Sequence, residues 1–494
     1  MIINHVLAHP PEENRRIRFV RLDGDETISL SDLYDMAGRV AVALRGLGVR
    51  RADRIGILAA NCLEWVLLDL AALRLGAVTA GFEPGKFDVD DSLPSRYDLK
   101  LLFTDRPRNG QFIPIAEVRR LADEATGRPP VIRYDPDDVT TLKFTSGSTG
   151  EPKAIAATVG SIDGSISAVQ QVFDHGKNDD LFVFLPLSLL QQRYWIYSAL
   201  RFGHDVTVST YEAAFPALRR AEPTVVMGVP AFYETARKHI EAKPDHGKAA
   251  RQLFGDRIRY LWTGSAPAAA TTLRFFTDLG LPVYEGYGLN ETCIVSKNHP
   301  GAHRPGSVGK VLPGKQVLLD EDGLISIRSE HPVNVRYEYA PPGESERVFG
   351  PDGLVRTGDL GHLDEDGYLF ILGRADDVIV LGNGKKIIVR PLEEHMKQSP
   401  AIAECVLFCP LQTQLVAVVS PATEPADEAA IAAQLASANA TFGHDEQISR
   451  VVVAHRGFSI DNGLLTSQFK PKRKQILAAY RAEVFNVGEG VHAR

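Results

Sequence analysis

Thr141-Leu-Lys-Phe-Thr145-Ser-Gly-Ser-Thr-Gly150-Glu-Pro-Lys153 opens as a short apolar strand and runs into a Ser/Thr/Gly loop closed by a lysine. Such a loop suits phosphate. Small residues let successive backbone N–H groups turn toward an anion, hydroxyls add donors, and Lys153 supplies a point charge for phosphate oxygens. The GxxxxGK[ST] spacing of a Walker loop is absent. A second stretch, Gly309-Lys-Val-Leu-Pro-Gly314-Lys315-Gln316, has Walker-like glycine and lysine spacing but carries Gln where the Mg-binding hydroxyl belongs. Pro313 and the β-type residues around it predict a turn instead.

On either side of the loop the pattern alternates helix and strand. Residues 29–48 have apolar helical spacing, 54–59 form a short apolar strand, and 64–75 a second amphipathic helix. The same grammar recurs as strand 181–186 with helix 192–202, strand 224–229 with helix 233–242, and strand 260–263 with helix 269–279. Between 306 and 372 helical periodicity disappears and short β-type runs, 316–319 and 324–327 among them, alternate with Gly- and Asp-rich turns. After Gly373 the grammar is mixed again: runs 401–408 and 415–420 read as strands, 427–438 and 473–484 as helices. The fold class expected is α/β: a large N-terminal mixed α/β domain with a β-rich subdomain (1–373), then a small α+β domain (374–494).

Composition bounds the partners. The 494 residues are 44% hydrophobic and 24% charged, an ordinary globular balance. At about 150 residues per domain the length suits roughly three domains, or one large domain with a smaller one attached. A net charge of −7 supplies no positive field for nucleic acid or an anionic membrane. The four cysteines (Cys62, Cys293, Cys405, Cys409) show no CxxC pair, and no His cluster has metal-ligand spacing, which argues against a disulfide scaffold and a structural zinc. Cys405 and Cys409 read as core thiols. With no apolar signal-type segment at the start and no uninterrupted apolar run, the expected location is the cytoplasm. No pattern reports the oligomeric state.

The loop TSGSTGEPK resembles the phosphate-loop signature of the adenylate-forming superfamily, which includes acyl-CoA synthetases, peptide-synthetase adenylation domains and luciferases. Its other motifs follow in order. Glu285-Gly-Tyr-Gly-Leu-Asn-Glu291-Thr resembles the YGxTE box, Thr357-Gly-Asp359 the ribose-binding TGD, Gly373-Arg374-Ala-Asp376-Asp-Val-Ile the GRxxDxI hinge, and Leu465-Thr466-Ser-Gln-Phe-Lys470-Pro-Lys-Arg473 the C-terminal lysine motif in its fatty-acyl style.

The resemblance implies ATP and Mg²⁺, with CoA as co-substrate. Thr145, Ser146, Gly147, Ser148, Thr149, Gly150 and Lys153 would cradle the phosphates. Glu291 would hold Mg²⁺ with phosphate oxygens, a donor set that suits a hard cation. Tyr287, flanked by Gly286 and Gly288 and preceded by Glu285, would stack on adenine opposite Gly264, Ser265, Ala266 and Pro267, with Asn290 completing the box. Asp359 would accept the ribose hydroxyls, Arg374 would reach ribose or phosphate, and Lys470 would approach the substrate carboxylate and the α-phosphate. Asp376 stands at the family's pivot, from which relatives swing a mobile C-terminal domain between adenylating and thioester-forming poses. The following Leu381-Gly-Asn-Gly-Lys-Lys386 resembles a loop that enters the site in the second pose and is equally compatible with a hairpin.

Four substitutions depart from the pattern. Ala154 replaces the glycine after the loop lysine, and Asn290 replaces a threonine. In Leu185-Pro-Leu-Ser-Leu189-Leu-Gln-Gln192-Arg193, Leu189 stands for the fatty-acyl histidine and Gln192 for its glutamate. The stretch between Gly81 and Thr140 is also short. Phe232, Tyr233, Trp262 and Tyr194 are candidate acid-lining residues, with Gln192 or Arg193 facing the acid. These features leave three readings open: an acyl-CoA synthetase; an adenylating enzyme with another acceptor, such as an amine or carrier protein, including a nitrite-activating diazotase acting on an aryl amine; and a nucleotide-binding protein without turnover.

Overall fold

The computed structural model describes residues 1–11, 14–87, 90, 92–106, 112–145, 153–466, 470–485 and 491–492. Helix Leu30–Gly46 begins where Ser29 Oγ accepts the Asp32 N–H at 2.9 Å, and its residues Leu30, Leu33, Ala37, Val40, Ala41 and Leu44 are buried at three- and four-residue spacing. Helix Leu63–Leu75 is buried along its whole length and ends at Gly76 in the left-handed conformation (φ 70°). It packs against Leu30–Gly46 and links two strands of a six-stranded sheet.

That sheet runs Ile113–Pro114, Leu99–Thr104, Arg54–Leu58, Val78–Phe82, Val139–Thr145 and Lys153–Thr158. Its pairings are parallel except the last, in which Thr145 faces Lys153 across an antiparallel pair. A nine-stranded sheet runs Lys310–Val311, Cys293–Lys297, Val283–Leu289, Tyr260–Thr263, Val225–Met227, Asp180–Val183, Asp205–Val208, Arg16–Val20 and Asp25–Ser29. It is parallel from Val283–Leu289 to Arg16–Val20 and antiparallel at both edges. The main apolar core fills the space between these sheets, with Leu63–Leu75, Val159–Phe173 and Leu190–Phe202 inside it.

The β-rich stretch is a four-stranded antiparallel sheet of Lys315–Leu319, Leu324–Ser329, Leu354–Leu363 and Leu369–Arg374. Gly314 (φ 77°) turns the chain into it, so the Walker-like stretch is a turn, as its sequence predicts. Further on, Ile379–Val380 and Lys386–Ile387 pair as a hairpin. A last sheet of Ile402–Phe408, Leu415–Pro421, Ile448–Val453 and Val491–His492 carries its own core. Cys405 lies in that core; Cys409 is only half-buried. The helix expected over 473–484 is two helices, Arg473–Ala479 and Arg481–Phe485, because Tyr480 leaves the helical region at φ −114°, ψ 25°. Among the described residues no helix is long and apolar enough to cross a membrane.

One ionic contact joins the two large sheets' helices. Arg193 on Leu190–Phe202 donates to Asp69 on Leu63–Leu75 at 2.8 Å and to Thr141 Oγ1 at 3.0 Å, and Tyr197 donates to the other Asp69 oxygen. All three side chains are buried. Removing one partner of a buried pair strands the other charge, at about 3–5 kcal/mol. Asp69→Ala should therefore lower unfolding stability by about that amount, measured by urea titration, and Arg193→Met with Asp69→Leu together should recover part of the loss.

Candidate active site

Strands Tyr260–Thr263 and Val283–Leu289 run parallel, with Trp262 beside Tyr284 and Thr263 beside Glu285. Their carboxyl ends deliver residues 264–267 and 285–288 to one place, the edge where ligands bind in open α/β sheets. The glycines around Tyr287 are demanded by the neighbouring strand. A Cβ on Gly286 would sit 2.5 Å from Lys297 Cδ, and one on Gly288 would sit 2.0 Å from the Cys293 carbonyl oxygen. Glu285 reaches across to accept the Ala268 N–H at 3.3 Å, and burial pushes its carboxyl up to about 7.

Tyr287 donates its hydroxyl to Asp359 Oδ2 at 2.6 Å. Burial and the Asp359 charge keep that phenol protonated well above its ordinary range. Arg374 Nη1 donates to Asp359 Oδ1 at 2.9 Å and to the Thr357 carbonyl at 2.8 Å. Gly358 has φ 70°, and a Cβ there would lie 2.8 Å from Arg374 Nη2, so the middle residue of Thr357-Gly-Asp359 has to be glycine. Lys470 comes into the fields of Asp359 and Arg374; desolvation lowers its pKa, the aspartate raises it and the arginine lowers it further. Lys470 is tied to Thr466, with Lys470 N–H donating to Thr466 Oγ1 at 3.1 Å and Thr466 N–H to the Lys470 carbonyl at 2.8 Å. Arg473 anchors the chain behind it through two 2.7 Å bonds to Glu393 and a 3.1 Å contact with Asp377, next to the exposed Asp376.

Lys153 and Glu291, the residues expected to meet phosphate and Mg²⁺, share one segment of protein partners. Residues 146–150 of the loop, Ser146, Gly147, Ser148, Thr149 and Gly150, lie outside the described residues, as does the Thr145 side chain. Lys153 is buried and ion-paired with Glu344, and its ammonium lies 5.2 Å from the centre of the Tyr337 ring. Tyr337 donates to Glu291 Oε1 at 2.7 Å. The segment carrying Tyr337 and Glu344 is fastened by paired backbone bonds between Glu338 and Ala154 at 2.7 and 3.0 Å. Ala154 is fully buried in that bridge, so its methyl fits where the family has glycine. Glu291 lies in the turn between two strands, with Leu289 N–H donating to Thr292 Oγ1 at 3.0 Å; Asn290 beside it is exposed. No group of three His, Cys, Asp or Glu side chains that could hold a metal occurs among the described residues. A lone carboxylate fits Mg²⁺ only when ligand oxygens and water complete the shell.

The candidate acid-lining residues divide. Phe232 packs against Phe184 and Phe215 at 4.6 and 4.8 Å, and Tyr233 donates to the carbonyls of Val226 and Trp262 at 3.0 and 2.8 Å, so both pin strand ends in the core. Arg193, expected to face an acid, has its charge met by Asp69. Trp262 lies nearer the site, with Trp195 and Phe173 against it at 5.3 and 5.0 Å. Tyr194 contacts Cys293 Sγ at 3.0 Å, and Gln192 Oε1 is buried with no hydrogen-bond partner among the described residues. Sequence reasoning missed Tyr337, Glu344 and Lys297. The first two belong to Tyr337-Glu-Tyr-Ala-Pro-Pro-Gly-Glu344, whose double proline signals a fixed turn but not its destination.

The class defined by this arrangement is a nucleotide-binding enzyme, with its site spread over the edges of several sheets. Family models described as "AMP-binding enzyme" and "AMP-binding enzyme C-terminal domain" match residues 7–88 with 89–331, and 376–489. The chain belongs to the AMP-binding enzyme family. It is 26% identical to the long-chain-fatty-acid–CoA ligase FadD15 of Mycobacterium bovis, covering 97% of this chain and 95% of that one. It is also 26% identical to the 2-succinylbenzoate–CoA ligase of Bacillus subtilis, over 77% of this chain and 79% of that one. Among solved structures, the O-succinylbenzoate coenzyme A synthetase of Bacillus subtilis in complex with ATP and magnesium ion matches with a TM-score of 0.73 at 23% identity, over 92% and 95% of the chains.

If Lys153 meets phosphate as expected, that phosphate would have to compete with Glu344 for it. Glu344→Gln should tighten inorganic pyrophosphate binding about five-fold, the worth of one partly exposed ion pair, as read by calorimetry.

Proposed function

We propose that this enzyme is an ATP-dependent, AMP-forming acid–CoA ligase. The observation that carries the reading is the convergence on Asp359: Tyr287 and Arg374 bond to it, and Lys470, from far along the chain, comes into its field. A protein that only bound nucleotide would have no use for that lysine.

In the first half-reaction a carboxylate oxygen of the acid attacks the α-phosphorus of ATP, the acyl–phosphate bond forms, and the bond to pyrophosphate breaks. Lys470 offers positive charge to the attacking carboxylate and to the α-phosphate as negative charge builds there. Asp359 accepts from the ribose hydroxyls and fixes the α-phosphate relative to that lysine, and Tyr287 gives adenine a face to lie on. Lys153 compensates the departing pyrophosphate. Glu291 would help hold Mg²⁺, which would supply charge neutralisation to the polyphosphate. In the second half-reaction the CoA sulfur attacks the acyl carbon, the thioester forms, and AMP leaves with the bonding pair. The unit beyond Asp376 turns about that residue between the two halves, which carries Lys470 away and the hairpin containing Lys385 and Lys386 inward.

The relatives support CoA as the acceptor, since both named ligases form CoA thioesters by their names. Pyrophosphate release should be measured over fatty acids, aryl acids, amino acids and nitrite, each with and without CoA or an amine. Release with an organic acid and formation of its CoA thioester is the expected result. Turnover with nitrite or an amine and no thioester would replace CoA by that acceptor. Lys470→Ala should slow adenylate formation by 10²-fold or more, as loss of a group aimed at developing charge does; thioester formation from synthetic acyl-AMP should fall far less. Unchanged adenylation in this variant would remove Lys470 from the mechanism.

A further inference from the structure

Lys297 ends the strand Cys293–Lys297 and has no solvent exposure. Its ammonium donates to the Thr263 carbonyl and to the Tyr284 carbonyl, both at 2.8 Å, and lies 3.7 Å from the centre of the Trp262 ring. These two acceptors are on neighbouring parallel strands, at the level where the chains part. Beyond Thr263 the chain runs into 264–267; beyond Tyr284 it runs into 285–288. The lysine stem passes directly beneath Gly286, since a Cβ there would lie 2.5 Å from Lys297 Cδ. A second tie crosses between the same segments higher up, from Ala268 N–H to Glu285.

Burying an ammonium costs several kcal/mol unless good geometry offsets it, and Met would fill the same volume without that cost. Two carbonyls and an aromatic face are the compensation here. Burial drives the lysine pKa well below its ordinary value, while Glu285 pulls it back up. What the ammonium accomplishes that a methionine could not is to bond two strands at the point where their ladder ends. We infer that Lys297 is a positioning residue for the nucleotide, its ammonium fixing the separation between segment 264–267 and segment 285–288. The inference rests on the reading of those segments as the two walls of the adenine slot.

The test is Lys297→Met beside Tyr287→Leu, with ATP affinity read by calorimetry and the steady-state constants for ATP, acid and CoA read separately. Lys297→Met should raise the ATP Kd and KM at least ten-fold, with kcat at saturating ATP within three-fold and the acid KM within two-fold of the parent. Tyr287→Leu should also weaken ATP. If Tyr287→Leu weakens ATP and Lys297→Met leaves it within two-fold, the inference fails and the slot stands. If neither weakens ATP, the slot itself is misplaced and the inference falls with it. A loss confined to Lys297→Met, or one spread equally over ATP, acid and kcat, also overturns it. Should Lys297→Met not fold, Lys297→Gln retains two N–H donors on a shorter stem and gives the same readouts; failure of both to fold assigns the lysine to the core alone and overturns the inference.

Discussion

A single carboxylate, Asp359, holds the functional half of this molecule in register. Tyr287 comes to it from the nine-stranded sheet, Arg374 from the end of the four-stranded sheet, and Lys470 from the C-terminal unit. None of these groups is a sequence neighbour of another. Asp359 answers two of these directly: a buried phenol needs an acceptor, and a guanidinium at a strand end needs a counter-charge. Behind this meeting point the Arg193–Asp69 pair does comparable work between the helices of the two large sheets. One interaction sets where the lobes pack and the other sets what they present at their edges.

Much of the architecture was legible because it rests on local periodicity. The burial of Leu30, Leu33, Ala37 and Leu44 on one helical face, and the turn at Gly314, follow from spacing and from residue type. The break at Tyr480 did not show, since the helical pattern continues through it and only the packing of the final segments interrupts the backbone. The strand-turn-strand around Glu291 was equally hidden. Its glycines read only as flanks that open a face of Tyr287, whereas the structure uses Gly286 and Gly288 to let a second strand approach.

In the site, Tyr287 and Arg374 meet at Asp359, and Lys153 and Glu291 share the segment of Tyr337 and Glu344, partners that the sequence left invisible. Arg193 reads as a cation available to a substrate until Asp69, 124 residues away, is placed beside it. Lys297 reads as the polar end of an apolar run until two carbonyls are found at its tip. The departures from the family pattern also gain physical meaning. Ala154 occupies a closed bridge, Asn290 stands in solvent, and Gln192 keeps its carbonyl oxygen buried. The first is closed inside the fold, the second faces solvent, and the third places inside the core an amide oxygen with no partner among the described residues.

The segment carrying Tyr337 and Glu344 has a consequence for discrimination between ligands. It satisfies a cation and an anion at once, Lys153 through Glu344 and Glu291 through Tyr337. A simple anion that displaces Glu344 leaves that carboxylate to find new solvation and gains nothing at Glu291. A bare cation meets the mirror problem. Only a ligand that brings both signs of charge in one body, as a polyphosphate with its metal does, exchanges both contacts together. On the proposed reading of this site, the strap would act as an ionic filter, favouring a metal polyphosphate over free phosphate or free divalent metal.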